Sequence, residues 1–183
     1  MTTITEGKLT FSFPNTWKVN KYDESNFFKN HVYKCQGSKG VDILALSDNR
    51  LFIIEVKDFR GYRIENKQRL KSGELVIEVT QKVRDTLAGL YAACRWQTEE
   101  LAYFYNHLYA KSKCSMLTRY QPKITLILFI EQDSSPHPLK RFEISCSDLE
   151  SAMKNQLKFL NINCLVHNKE TYAKKPLGWF VVG

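Results

Sequence analysis

The sequence predicts an α/β domain with a mixed central sheet flanked by helices, and three observations carry that expectation. Two short apolar runs, Val41 to Leu46 and Leu51 to Val56, are joined by Ser-Asp-Asn-Arg, the composition of a hairpin turn. Segments with apolar residues at helical spacing, 22–36 and 81–96, lie before and after them. A third run, Lys123 to Glu131, is apolar on both parities and reads as a strand covered on both faces.

Taken in order, Tyr22 to Gln36 is expected to be a helix with Asp23 as its N-cap and Glu24, Phe27, Phe28, His31 and Cys35 at helical spacing. Gly37-Ser38-Lys39-Gly40 breaks it and delivers the chain to the first strand of the hairpin. After Lys57, Tyr62 to Glu65 and Leu75 to Thr80 read as strand segments around the turn composition Lys71-Ser72-Gly73-Glu74. Gln81 to Trp96 follows as a helix with Val83, Leu87, Leu90, Tyr91 and Cys94 on one face. Gln97 to Ala110 is its continuation or a second helix, and its Tyr103, Tyr105 and Tyr109 suit packing or a dimer surface better than base stacking. Ser134-Ser135-Pro136-His137-Pro138 is a local loop. Ser147-Asp148-Leu149-Glu150 opens a last helix as a capping box, with Leu149, Met153, Leu157 and Leu160 facing the sheet. Cys164 to His167 and Trp179 to Val182 are edge or closing strands.

At 183 residues, with no linker composition, repeat or low-complexity tract, the chain reads as a single domain over 1–183. No apolar run reaches the roughly 20 residues that span a bilayer, and the polar N-terminus lacks a signal-peptide core, so a cytoplasmic protein is expected. The five cysteines are widely spaced and show neither Cys-x-x-Cys nor a zinc pattern. The four histidines are scattered, and there is no Ser-His-Asp or Cys-His arrangement and no glycine-rich phosphate loop. A formal net charge of +8 favours a polyanionic partner.

The chemistry resides in the hairpin. With Asp48-Asn49 at the turn, Leu46 faces Leu51, and counting down the ladder sets Asp42 opposite Glu55. Period-two alternation puts Lys57 on the same face as a diagonal neighbour. Two like charges about 5 Å apart repel by roughly 3 kcal/mol at an effective dielectric of 20, so facing acids call for a cation between them. Mg²⁺ or Mn²⁺ suits two carboxylates with an open side, and a nearby lysine can assist an attacking water or neutralise charge on a phosphate. The tripeptide alone carries little: Glu6-Gly7-Lys8 and Glu65-Asn66-Lys67 repeat it, and only Glu55-Val56-Lys57 ends a strand buried on both faces.

Asp42, twelve intervening residues and Glu55-Val56-Lys57 together resemble the PD-(D/E)XK nuclease superfamily, with Val41 in place of the proline. Glu55-Val56-Lys57-Asp58-Phe59-Arg60-Gly61 also resembles nuclease-related domains and Holliday junction resolvases. The resemblance implies a restriction-endonuclease-like three-layer core in the order α-β-β-β-α-β. It implies Asp42 and Glu55 as metal ligands, Lys57 as a catalytic partner, Glu24 as an acid contributed by the first helix, and Gln81 as a polar residue contacting the metal-bound water or phosphate. The partner it implies is DNA. Lys67, Arg69, Lys71 and Lys82, with Lys111, Lys113 and Arg119, are the candidate nucleic-acid contacts. The expected activity is metal-dependent hydrolysis of DNA phosphodiester bonds. The alternative is a nuclease-like module that binds nucleic acid or a partner and is inactive alone. With no separate recognition domain in view, a homodimer or a partner subunit is expected to supply specificity.

Overall fold

In the computed structural model, which describes residues 1–61, 73–109, 123–132 and 145–183, the chain opens with an antiparallel pair, β1 (Thr2–Glu6) and β2 (Leu9–Phe13). Leu9, Phe11 and Phe13 are fully buried while Thr10 and Ser12 are not, the alternation of a strand with one face on a core. The closing strand, Phe180–Val182, pairs with β2 and completes a three-stranded sheet. This small sheet lies outside the elements expected from the sequence, apart from its last strand.

Five strands form the main sheet, in the order β3 (Lys18–Lys21), β4 (Ile43–Leu46), β5 (Arg50–Asp58), β6 (Lys123–Glu131) and β7 (Asn163–His167). β3, β4 and β5 run antiparallel, while β5, β6 and β7 run parallel, so the sheet is mixed as expected. The hairpin holds the expected register, with Leu46 opposite Leu51 and Ile43 opposite Ile54. The third antiparallel strand is not where the sequence suggests. It is β3, ahead of the first helical segment, and Leu75 to Thr80 is helical. Tyr62 to Glu65 lies outside the described residues.

The two faces of the sheet carry different layers. Leu44, Leu51, Ile53, Leu126 and Leu128 point to the helical side. There they meet α1 (Glu74–Arg95), α2 (Ala102–Tyr109) and α3 (Cys146–Gln156). Ile43, Ala45, Phe52, Ile54, Ile127 and Phe129 point the other way, into a core shared with the small sheet, Trp179 and Tyr172 of α4 (Lys169–Lys174). Aromatic contacts fill that second core, Phe11 on Phe129 at 5.3 Å and Trp17 stacked on Phe52 at 5.3 Å.

Several elements differ locally from expectation for identifiable reasons. Val76, Ile77, Val79 and Thr80 are strand formers by composition, yet Leu75, Val76, Val79 and Val83 are buried at helical spacing, so packing on the sheet overrides propensity. The helix expected over Tyr22 to Gln36 is a 3₁₀ turn, Tyr22–Glu24, followed by a π-helical turn, Phe28–Val32. Asp23 is not a cap but lies inside the 3₁₀ turn, and between the two pieces the Ser25 hydroxyl accepts from the Phe28 N–H at 3.2 Å. Ser145, not Ser147, caps α3 by accepting from Asp148, while Glu150 accepts instead from the Val166 N–H at 2.8 Å. After α1 the chain turns through a 3₁₀ turn, Glu99–Leu101, into α2, so Gln97 to Ala110 holds a second helix rather than a continuation. Among the described residues, no helix is long and apolar enough to cross a membrane.

Candidate active site

Asp42, Glu55 and Lys57 belong to the parity of β4 and β5 that faces the helices, and α1 reaches them through Glu78 and Lys82. Asp42 stands one residue before β4, opposite Glu55 when the ladder is extended by one step. The Val56 N–H donates to Asp42 Oδ2 at 2.7 Å and fixes the carboxylate against the second strand. Glu55 is fully buried and Asp42 nearly so. Burial on this scale requires cations, and two lysines supply them.

Lys57 donates to Glu55 Oε1 at 2.9 Å and to Glu78 Oε1, on α1, at 2.9 Å. Lys82, one turn further along α1, reaches Glu55 Oε1 at 2.7 Å and Asp42 Oδ1 at 3.4 Å. The result is a zigzag of alternating charge, Glu78, Lys57, Glu55, Lys82, Asp42. Glu55 Oε1 therefore serves both ammoniums, while the buried Oε2 has no hydrogen-bond partner among the described residues.

Burial, and then the neighbouring Asp42 charge, pushes the Glu55 carboxyl up to about 7 in spite of both lysines. Asp42 is also raised, by burial first, with Lys82 and the Val56 N–H opposing the shift. Burial works against the charge on Lys57 and Lys82, yet the surrounding carboxylates win and both are held above the ordinary lysine value.

Loop anchoring to α1 sets the position of Asp42. Gln81 Nε2 donates to the Gly37 carbonyl at 2.8 Å, Asp85 Oδ2 accepts from the Lys39 N–H at 3.0 Å, and Thr86 Oγ1 accepts from the Val41 N–H at 3.1 Å. Gly40 passes so close to Phe28 that a Cβ would lie 2.8 Å from its ring. The segment 37–41 is thus clamped between α1 and the π-helical turn, and Asp42 follows directly.

The structure brings Asp42, Glu55, Lys57 and Lys82 together. Gln81 sits in the loop clamp, with its amide on Gly37. Glu24 is exposed and ion-paired with Lys21 at 2.7 Å, which lowers its carboxyl below the ordinary range. The neighbouring acid is the one that senses the cluster. Asp23 is raised to about 6, by burial first and then by the charge of Asp42, and its buried Oδ1 has no hydrogen-bond partner among the described residues. Lys67, Arg69, Lys71, Lys111, Lys113 and Arg119 lie outside the described residues. Glu78 escaped the sequence reading altogether. Its signal is an acid four residues before a lysine on the flank of an apolar helical stripe, legible only once 74–80 is read as helix.

Two carboxylates, one with an unpartnered buried oxygen, fit a hard cation that takes its remaining ligands from water and phosphate. Among the described residues no group of three or more His, Cys, Asp or Glu side chains could hold a metal ion, so a cation here would have Asp42 and Glu55 as its protein ligands. Two carboxylates are the kind of donor set a hard dication such as Mg²⁺ or Mn²⁺ takes.

A family model described as "Nuclease-related domain" matches residues 15–117, more than half of the chain and all of the cluster. The chain belongs to the nuclease-related domain family. A similar protein is the cysteine–tRNA ligase of Neisseria meningitidis serogroup A / serotype 4A, 32% identical over 184 residues, covering 86% of this chain and 25% of the ligase. This nuclease-related domain thus spans a quarter of the length of that relative. No solved structure matches the chain. The matched span runs from the start of the main sheet through β4, β5, α1 and α2, so the family resemblance and the charged cluster coincide.

Proposed function

We propose that this nuclease-related domain is a metal-dependent nuclease of the PD-(D/E)XK type that hydrolyses phosphodiester bonds in DNA. The observation that carries this reading is Glu55: a fully buried acid facing Asp42 across the hairpin, with one oxygen shared between two ammoniums and the other without a partner. A purely structural ion pair has no use for a second buried acid and an unsatisfied oxygen.

Asp42 and Glu55 are the residues that would hold Mg²⁺ or Mn²⁺. Such an ion supplies Lewis-acid polarisation of a phosphate oxygen and a more acidic water. Lys57, held by Glu78 as well as Glu55, presents an ammonium whose position does not depend on one partner. In this reading it steers the attacking water or offsets charge accumulating on the phosphate. The Val56 N–H keeps Asp42 aligned, and the 37–41 clamp keeps the acid pair in register. Net charge of +8 supports a nucleic-acid partner, with the basic residues of 67–71 as backbone contacts. A cytoplasmic location, and a homodimer or partner subunit supplying specificity, complete the proposal.

The similarity to part of a cysteine–tRNA ligase favours one variation, a module that works beside another activity and meets RNA. The test is cleavage of circular, linear, single-stranded and four-way-junction DNA and of transfer RNA, with Mg²⁺, Mn²⁺ or EDTA, for wild type and Lys57→Ala. Metal-dependent products from wild type alone support the nuclease reading. A folded protein that binds these substrates in a salt-dependent way and cuts none would instead support the partner-dependent module.

A further inference from the structure

We propose that Lys82 is a built-in counter-cation that occupies the acid pair until a divalent metal displaces it, and that the released ammonium then engages the nucleic-acid phosphate. The proposal rests on the metal-dependent reading above and concerns what the same site does before and after it is loaded.

The two lysines of the cluster are not equivalent. Lys57 is tied to Glu55 on its own strand and to Glu78 on α1, so it keeps a partner if Glu55 turns to a metal. Lys82 is tied to Asp42 and Glu55 alone among the described residues, the two groups a metal would claim. Its ammonium lies between the two carboxylates, 2.7 Å from one and 3.4 Å from the other, where it cancels the repulsion that the hairpin register creates. A dication on the same oxygens would face that ammonium at contact distance, and like charges at contact repel strongly in a buried site. One of the two must leave. Lys82 has the means, with a long flexible stem on a helix surface and a side chain that retains 16% exposure.

The charge count points to where it goes. Two acids balanced by Lys57 and a divalent ion no longer need Lys82, whereas a phosphate arriving at the metal brings a new negative charge beside it. The ammonium therefore moves from carboxylate to phosphate. Metal and nucleic acid both favour the displaced position, so each strengthens binding of the other by the same factor, as linkage demands.

The deciding experiment is Mn²⁺ binding without nucleic acid, followed by titration calorimetry or by the resonance of free Mn²⁺, for wild type, Lys82→Met and Asp42→Asn. Lys82→Met should bind about tenfold more tightly than wild type or better, because the competitor is gone, and Asp42→Asn should lose binding. A second reading uses the wild-type protein and no variant: acylation by an amine-specific reagent, located by mass spectrometry. Mn²⁺ should raise labelling of Lys82 and leave Lys57 unchanged. Metal binding that Asp42→Asn abolishes, with no gain in Lys82→Met and no rise in Lys82 labelling, overturns the displacement and leaves the metal site standing. Absence of Mn²⁺ binding in wild type and Lys82→Met alike removes both. If Lys82→Met does not fold, the labelling result decides alone.

Discussion

Lys82 on α1 and Glu55 on β5, 27 residues apart in sequence, meet at 2.7 Å through Nζ and Oε1. The contact joins a helix to the central strand of the sheet at the point where Asp42 also faces inward. It makes the charge state of one buried glutamate a property of the whole cluster.

The first prediction concerns stability and pH. The Glu55 carboxyl is raised from 4.5 to about 7, so between those values the folded protein holds a proton that the unfolded chain has released. Stability therefore falls as pH rises through that window. The ionised form should cost about 3 kcal/mol above pH 7, from the size of the shift. Glu55→Gln removes this titration and, at every pH, the Glu55 contacts of Lys57 and Lys82, so the stability of the wild type relative to the variant should fall by about 3 kcal/mol between pH 4.5 and pH 8. Urea unfolding of both proteins at pH 5 and pH 8 measures this; parallel pH profiles would rule it out.

Metal affinity should follow the same proton. Because a proton and a cation compete for Glu55, Mn²⁺ affinity should increase about tenfold per pH unit below pH 7 and level off above it. In Glu55→Gln the dependence should disappear together with most of the binding. Cleavage at subsaturating Mn²⁺ should show the same rise, and a flat profile between pH 5.5 and 7 would separate Glu55 from the metal site.

The loop clamp makes a third prediction, in which two neighbouring contacts differ in weight. Thr86→Val leaves the buried Val41 N–H without its acceptor and should cost about 1–3 kcal/mol, displacing Asp42 and lowering any cleavage with it. Gln81→Ala breaks an exposed bond to Gly37 and should cost about 1 kcal/mol or less. Thermal unfolding ranks the two. A larger loss in Gln81→Ala would mean that its amide does more than hold the loop.

Gly89 and Tyr22 provide a fourth. A Cβ on Gly89 would lie 2.1 Å from the buried Tyr22 hydroxyl, so Gly89→Ala should destabilise by about 1–3 kcal/mol in spite of the better helix residue. Tyr22→Phe removes that oxygen, which has no hydrogen-bond partner among the described residues, and should itself be close to neutral. The double variant should recover most of the loss, and additivity of the two changes would show that they do not touch.

What the sequence alone determined is what local rules govern. The turn at Asp48-Asn49 and the period of two set Asp42 against Glu55 with Lys57 on the same face, because hairpin register follows from the turn and the buried parity. The same reasoning located β6, whose apolar run over both parities marks a strand covered on two sides. Leu75 to Thr80 shows where such rules stop: its β-branched composition favours a strand, and only the sheet surface beneath it selects a helix. With that segment read as strand, Glu78 had no helical face and Lys82 no direction. Tertiary structure also decided between two adjacent acids, sending Glu24 to Lys21 at the surface and leaving Asp23 to sense Asp42, because the expected helix breaks into 3₁₀ and π turns. Which cation fills the space between two facing carboxylates depends on how a distant helix packs across the sheet, and that is a long-range outcome that no local pattern encodes.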